Sequence, residues 1–167
     1  MEHQPDRLRI VIGSDDAGRP YKDALADDLR ADTRVAVVRD IGVDDQSRAS
    51  YPQIALVAAE HVAASRADRA LLVCHTGLGM AIAANKVPGV RAVTAHDVVS
   101  VRAAVLSNDA QVLALGRGVI GLALARFLVD EWLGTRFAPG TSATAKLAAI
   151  RDYEQRRANT SAAGRGR

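Results

Sequence analysis

Apolar residues fall in short runs along this chain, separated by longer stretches whose apolar positions recur at helical spacing. "LRIVIG" at 8–13 is brief and β-branched, which predicts a strand. "RPYKDALADDLRA" follows and places Tyr21, Leu25 and Leu29 on one helix face. "RVAVVRDIG" predicts a second strand, and residues 51–65, "YPQIALVAAEHVAAS", predict a helix that tolerates Pro52 in its first turn. The alternation then continues. "RALLVC" is a strand, "GMAIAANK" a short helix, "VRAVTA" a strand, "DVVSVRAAVLS" a helix and "AQVLALG" a fifth strand. A long amphipathic helix, "GLALARFLVDEWLG", precedes a last helix over about 142–158.

The strands read as near-continuous apolar runs, the pattern expected when helices cover both faces of a sheet. With the β/α alternation, this predicts an α/β domain of three layers around a five-stranded parallel sheet, closed by a C-terminal helix. Ligands of such sheets sit beyond the C-terminal ends of the strands. The segments there are "GSDDAG", "DIGVDD", "CHTGLG", "AHD" and "GRG", in strand order. There is no internal repeat, low-complexity block or interdomain linker. A length of 167 residues suits one domain, expected over 1–157, with a disordered basic tail at 158–167.

Composition adds mainly exclusions. At 49% hydrophobic and 25% charged residues, the chain has the make-up of an ordinary globular protein. No apolar run reaches the roughly 18 residues of a membrane span. "MEHQPDRLRIVIG" lacks the layout of a signal peptide. A single cysteine forms no internal disulfide, so a cytoplasmic location is expected and no membrane partner. The net charge of +3 is concentrated in "RRANTSAAGRGR". Without that segment's four arginines, 18 basic residues face 19 acidic ones. With 4% aromatic residues as well, no nucleic-acid partner is expected.

Cys74, the lone cysteine, falls where the third strand ends and "HTGLG" opens the next helix. Backbone N–H groups of such a turn face an anion, and a helix N-terminus favours a thiolate. A thiolate there is a candidate nucleophile or proton-abstracting base; the other reading is a small buried hydrophobe. "TGLG" lacks the third glycine of a dinucleotide fingerprint, and no "GK[ST]" follows to make a P-loop. Asp15 and Asp16 can bind a polyol or a metal, or cap the next helix. No His, Cys and acid cluster has metal-ligand spacing, so no metal is expected. His75, His96 and Asp97 lie near strand ends, whereas His3 and His61 read as surface residues.

"IGSDDAG", "YPQIA", "CHTGLGMAIAANKVPGVRA", "SNDAQVLALGRGVIGLALA" and "VDEWLGTRF", in this order from about residue 8 to residue 137, resemble the ribose-5-phosphate isomerase B / galactose-6-phosphate isomerase family. The resemblance implies a Rossmann-like, metal-free and cofactor-free homodimer with active sites shared between subunits. It also implies interconversion of aldose and ketose phosphates through a cis-enediol. Cys74 matches the base of the family's cysteine-using branch, and the turn would stabilise the enediolate oxygen. Asp15 matches an aspartate that binds substrate hydroxyls, and Thr76, Gly77 and Gly79 match the anion-hole loop. Asn108 matches a substrate-contacting asparagine, and Tyr51 a tyrosine near the pocket.

The departures from the family pattern concern the substrate. Asp16 replaces a phosphate-binding histidine, Ser107 replaces the histidine assigned to furanose ring opening, and His75 replaces a glycine. The C-terminal phosphate-binding arginines have no clean counterparts; Thr141 and Lys146 lie near those places, and Arg117, Arg151 and Lys22 are other cations. A four-carbon 4-phosphate has no hydroxyl placed to close a furanose, so it needs no ring-opening group. The family's tetrose-phosphate branch resembles this sequence at these positions. The expected reaction is therefore D-erythrulose 4-phosphate to D-erythrose 4-phosphate. Ribose 5-phosphate isomerisation is the alternative, and a non-catalytic sugar-phosphate-binding protein a more distant one.

Overall fold

The computed structural model describes residues 7–45, 48–140 and 142–164. His3, Thr141 and residues 165–167 of the expected tail lie outside them. Five strands form one parallel sheet: β1 (Leu8–Ser14), β2 (Val35–Asp40), β3 (Arg69–Cys74), β4 (Ala92–Thr94) and β5 (Val112–Gly116). Their order is β2-β1-β3-β5-β4. The helices are α1 (Arg19–Ala31), α2 (Tyr51–Ala63), α3 (Leu78–Ala84), α4 (Val98–Leu106), α5 (Leu122–Gly134) and α6 (Ser142–Gly164).

Alternation along the strands sorts the core into two layers. Leu71 and Val73 of β3 join Leu25 and Leu29 of α1, Val101 and Val105 of α4, and Leu128 and Trp132 of α5. Ala70, Leu72 and Cys74 point the other way, against Ala55 and Ala58 of α2 and Met80 and Ala84 of α3. The parity of the strand thus puts Cys74 on the α2–α3 side. β1, β3 and β5 are almost wholly buried, as their apolar runs predicted. β2 departs from that expectation, with Val37 55% exposed, because it is an edge strand in which Val35 is buried and Val38 only partly so.

Helix ends follow identifiable chemistry. Gln53 accepts the Ser50 N–H at 2.9 Å and closes the start of α2, with Pro52 in the first turn. Tyr21, on the predicted α1 face, donates its hydroxyl to the Ile120 carbonyl at 3.1 Å. The buried Arg69 secures the end of α5, donating to the Trp132 and Thr135 carbonyls and lying 5.3 Å from the Trp132 ring centre. Burial pushes its pKa down to about 10, which leaves it charged at neutral pH. α6 buries Ala143 and Leu147, its Glu154 accepts the Gly89 N–H at 3.1 Å, and it runs past the expected end near 158 to Gly164.

Candidate active site

The C-terminal ends of β1, β3 and β5 carry turns that are tied to one another. Cys74 ends β3 opposite Gly116 of β5 and is only 6% exposed. The next residues turn sharply, with Gly77 at φ +81°, a conformation open to glycine at little cost. This turn directs the Gly77 N–H at the Cys74 sulfur, 3.1 Å away. The amide therefore serves the thiol itself rather than standing open for a ligand oxygen. Thr94 Oγ1 donates to the Gly77 carbonyl at 3.0 Å and fixes the turn from the β4 side.

The turn after β5 locks onto the same segment. Arg117 N–H donates to the Cys74 carbonyl at 2.9 Å, and Gly118 N–H to the His75 carbonyl at 2.8 Å. Gly116 has to lack a side chain, because a Cβ there would lie 2.6 Å from the Thr76 carbonyl carbon. The exposed His75 ring packs directly on Gly118. Arg117 reaches across to the turn after β1, donating to the Ala17 carbonyl at 3.1 Å.

In that first turn, Asp15 accepts the Gly18 N–H at 3.0 Å, and Gly18 packs on the Val73 carbonyl. Asp15 is thereby held beside the end of β3. Asp16 points outward and pairs with Arg48 at 3.3 Å, both largely exposed. Tyr51 lays its ring on Gly79, where a Cβ would come within 2.5 Å of the ring. Lys22 is removed from the candidate cations: it is buried and paired with Asp40 at 2.7 Å and Asp23 at 2.9 Å.

Ser107, Asn108 and Lys146 are elsewhere. They line a cleft of about 400 Å³ with Leu106, Ala138, Ser142 and Ala143, between the end of α4 and the start of α6. That cleft lies at the N-terminal edge of the sheet, one full strand length from Cys74. A five-residue strand such as β5 spans about 16 Å. The loop carrying Asn108 is pinned by Arg91, which donates to the Asn108 carbonyl at 2.9 Å and to the Asp109 carboxylate at 2.7 Å.

His96 and Asp97 follow β4. Asp97 caps α4 by accepting the Ser100 N–H at 2.8 Å, and hydrogen bonding from the Ser100 side chain, with that backbone bond, holds its carboxyl below the usual range. His61 accepts from Arg66 at 3.3 Å, and partial burial with the nearby arginines lowers its pKa. Sequence reasoning missed the interlocking of the β3 and β5 turns through Gly116 and Gly118. Its only trace was "GRG" at a strand end. Among the described residues, no cluster of three or more His, Cys, Asp or Glu is placed to hold a metal ion. Nor is any described helix long and apolar enough to cross a membrane.

A parallel sheet flanked by helices, with a cysteine and interlocked turns at its carboxyl edge, defines an α/β protein of the class whose ligands sit beyond the strand ends. Comparison with known proteins narrows the class. The family model described as Ribose/Galactose Isomerase matches residues 10–150. D-erythrulose-4-phosphate isomerase 2 of Mycolicibacterium smegmatis is 61% identical over 150 residues, covering 88% of this chain and 97% of that protein. Ribose-5-phosphate isomerase B of Escherichia coli is 38% identical over 149 residues, covering 89% and 98%. The solved structure of Clostridium thermocellum ribose-5-phosphate isomerase B superposes with a TM-score of 0.83 at 39% identity, covering 89% and 99%. The chain belongs to the ribose/galactose isomerase family and is a sugar-phosphate isomerase.

Proposed function

We propose that this protein interconverts D-erythrulose 4-phosphate and D-erythrose 4-phosphate, with Cys74 as the base. The thiolate takes a proton from C1 of the ketose while negative charge gathers on the C2 oxygen. A cis-enediol results. Return of the proton to C2, with the hydroxyl proton passing from O1 to O2, completes the aldose, so nothing is gained or lost. The Gly77 N–H is aimed at the sulfur that takes the proton and holds it in place. The enediolate oxygen then falls to the Thr76 hydroxyl and the amides further along the turn, including that of Gly79. Asp15 and Tyr51 flank the sugar hydroxyls, and His75 borders the reacting carbons.

The proposed site takes Ser107, Asn108 and Lys146 from a second copy of the chain. A tetrose phosphate is too short to touch both Cys74 and a cleft one strand length away in the same subunit. A homodimer with shared sites supplies both halves, with Lys146 holding phosphate and Arg117 adding charge at the mouth. Asp16, paired with Arg48, is spared from facing the dianion.

The observation that carries the tetrose reading is Ser107. Among the described residues no histidine lines the cleft around it, and a substrate that stays open-chain requires none. The 61% identical relative named for D-erythrulose 4-phosphate supports the same choice. Comparing kcat/KM for D-erythrulose 4-phosphate and ribose 5-phosphate tests it. A strong preference for the four-carbon substrate is expected. A preference for ribose 5-phosphate would overturn it and make exposed His75, beside Cys74, the residue to examine for ring opening.

A further inference from the structure

The sheet loses its outer ladder just before the site. β4 stops at Thr94, paired with Ala114, two residues short of Gly116. There the chain supplies a side chain instead: His96 Nε2 accepts the Gly116 N–H at 2.9 Å. On its other side Gly116 pairs with Cys74 and presses on the Thr76 backbone. The residues after it carry the two hydrogen bonds to the Cys74 and His75 carbonyls. One imidazole nitrogen thus holds the end of β5 against which the Cys74 turn is packed.

We propose that His96 is a positioning residue, a neutral hydrogen-bond acceptor whose contact with Gly116 keeps the Cys74–Gly77 turn in its working geometry. This rests on the reading of Cys74 as the base. An Nε2 that accepts a hydrogen bond requires the proton on Nδ1. Should Nε2 gain a proton, two donors would face each other and Gly116 would be pushed away. Any movement of Gly116 toward the Cys74 turn transmits directly, because the space beside it is so tight that even a Cβ there would lie 2.6 Å from the Thr76 carbonyl carbon.

The electrostatics agree with that geometry. Burial pushes His96 below the ordinary imidazole value of 6.5, and Asp97, next in the chain, opposes the shift. On the neighbouring turns stand Arg117, whose guanidinium is turned to the Ala17 carbonyl, and Cys74 and His75. A depressed folded-state value means the contribution to stability is complete above pH 6.5 and is lost as pH falls through the lower value.

His96→Gln and His96→Leu test the role against the unaltered protein. Glutamine carries an acceptor oxygen to about the place of Nε2 and does not titrate. Leucine fills space and accepts nothing. Two readouts are needed: hydrogen exchange and chemical shift of the Gly116 amide against pH, and kcat with KM against pH. In the unaltered protein, the Gly116 amide should lose protection as pH falls through the depressed His96 value, below 6.5. In His96→Gln it should stay protected at every pH, with kcat recovered to within about threefold. In His96→Leu it should exchange quickly, with kcat down about tenfold or more and KM little changed. Equal amide protection in all three proteins would overturn the hydrogen bond. Amide responses as described, with kcat equal in all three, would overturn the positioning role. Absence of turnover in the unaltered protein would instead refute the reading of Cys74, while the amide data still decide the hydrogen bond.

Discussion

Two regions of this molecule carry the candidate substrate contacts, and they are built in opposite ways. Around Cys74, three strand ends are pressed together until backbone touches backbone, with Gly116 against Thr76 and Gly18 against Val73. Around Ser107 and Asn108, two helix ends enclose an open cleft, and one arginine holds the loop in shape. Asp109 in that loop adopts φ +46°, unusual for a residue with a side chain, and Arg91 compensates by gripping both its carbonyl and its carboxylate. The contrast suits a division of labour. Proton transfer needs atoms fixed within tenths of an ångström, which strand ends supply. Holding a phosphate or a terminal hydroxyl tolerates the looser setting of helix ends and a flexible lysine.

The predictions follow that division. The largest effect belongs to the strand-end region: Cys74→Ala should lower kcat by about a thousandfold or more while ligand binding persists, read by steady-state kinetics and calorimetry. Unchanged turnover would remove the base assignment. In the cleft, Lys146→Ala should act mainly on KM, raising it by about tenfold or more, because it removes the proposed charge-assisted contact to phosphate. An effect confined to kcat would place Lys146 nearer the chemistry than this account allows. The smallest effect is expected outside both regions. Arg48→Ala breaks an exposed pair with Asp16, and kcat/KM should change by about twofold or less.

Much of the strand-end region could be read from sequence, because its signals are local. Hydrophobic runs marked β1, β3 and β5, and Cys74 falls at the very end of one of them. The expected bounds of α1 and β3 are those observed. What sequence could not supply was contact between distant turns. Nothing near Gly116 announces that Thr76 lies against it, and nothing near His96 announces the Gly116 amide. Such pairs depend on β5 lying between β3 and β4, a crossover that no single segment encodes. Lys22 is the converse case. It reads as a free cation, yet Asp40 at the end of β2 comes close enough to bury and neutralise it.

The separation of the two regions by a full strand length leads to the central claim, that one working site needs both from different subunits. Subunit complementation tests it most directly. Cys74→Ala damages one region and Asn108→Ala the other, and each homodimer should be nearly inactive. Co-expressed, half of the dimers would be mixed, and each mixed dimer would carry one intact site. Activity should then return to about a quarter of that of the unaltered protein. No recovery in a preparation shown to contain mixed dimers would mean that both regions serve the same subunit, and the account of a shared site would fail.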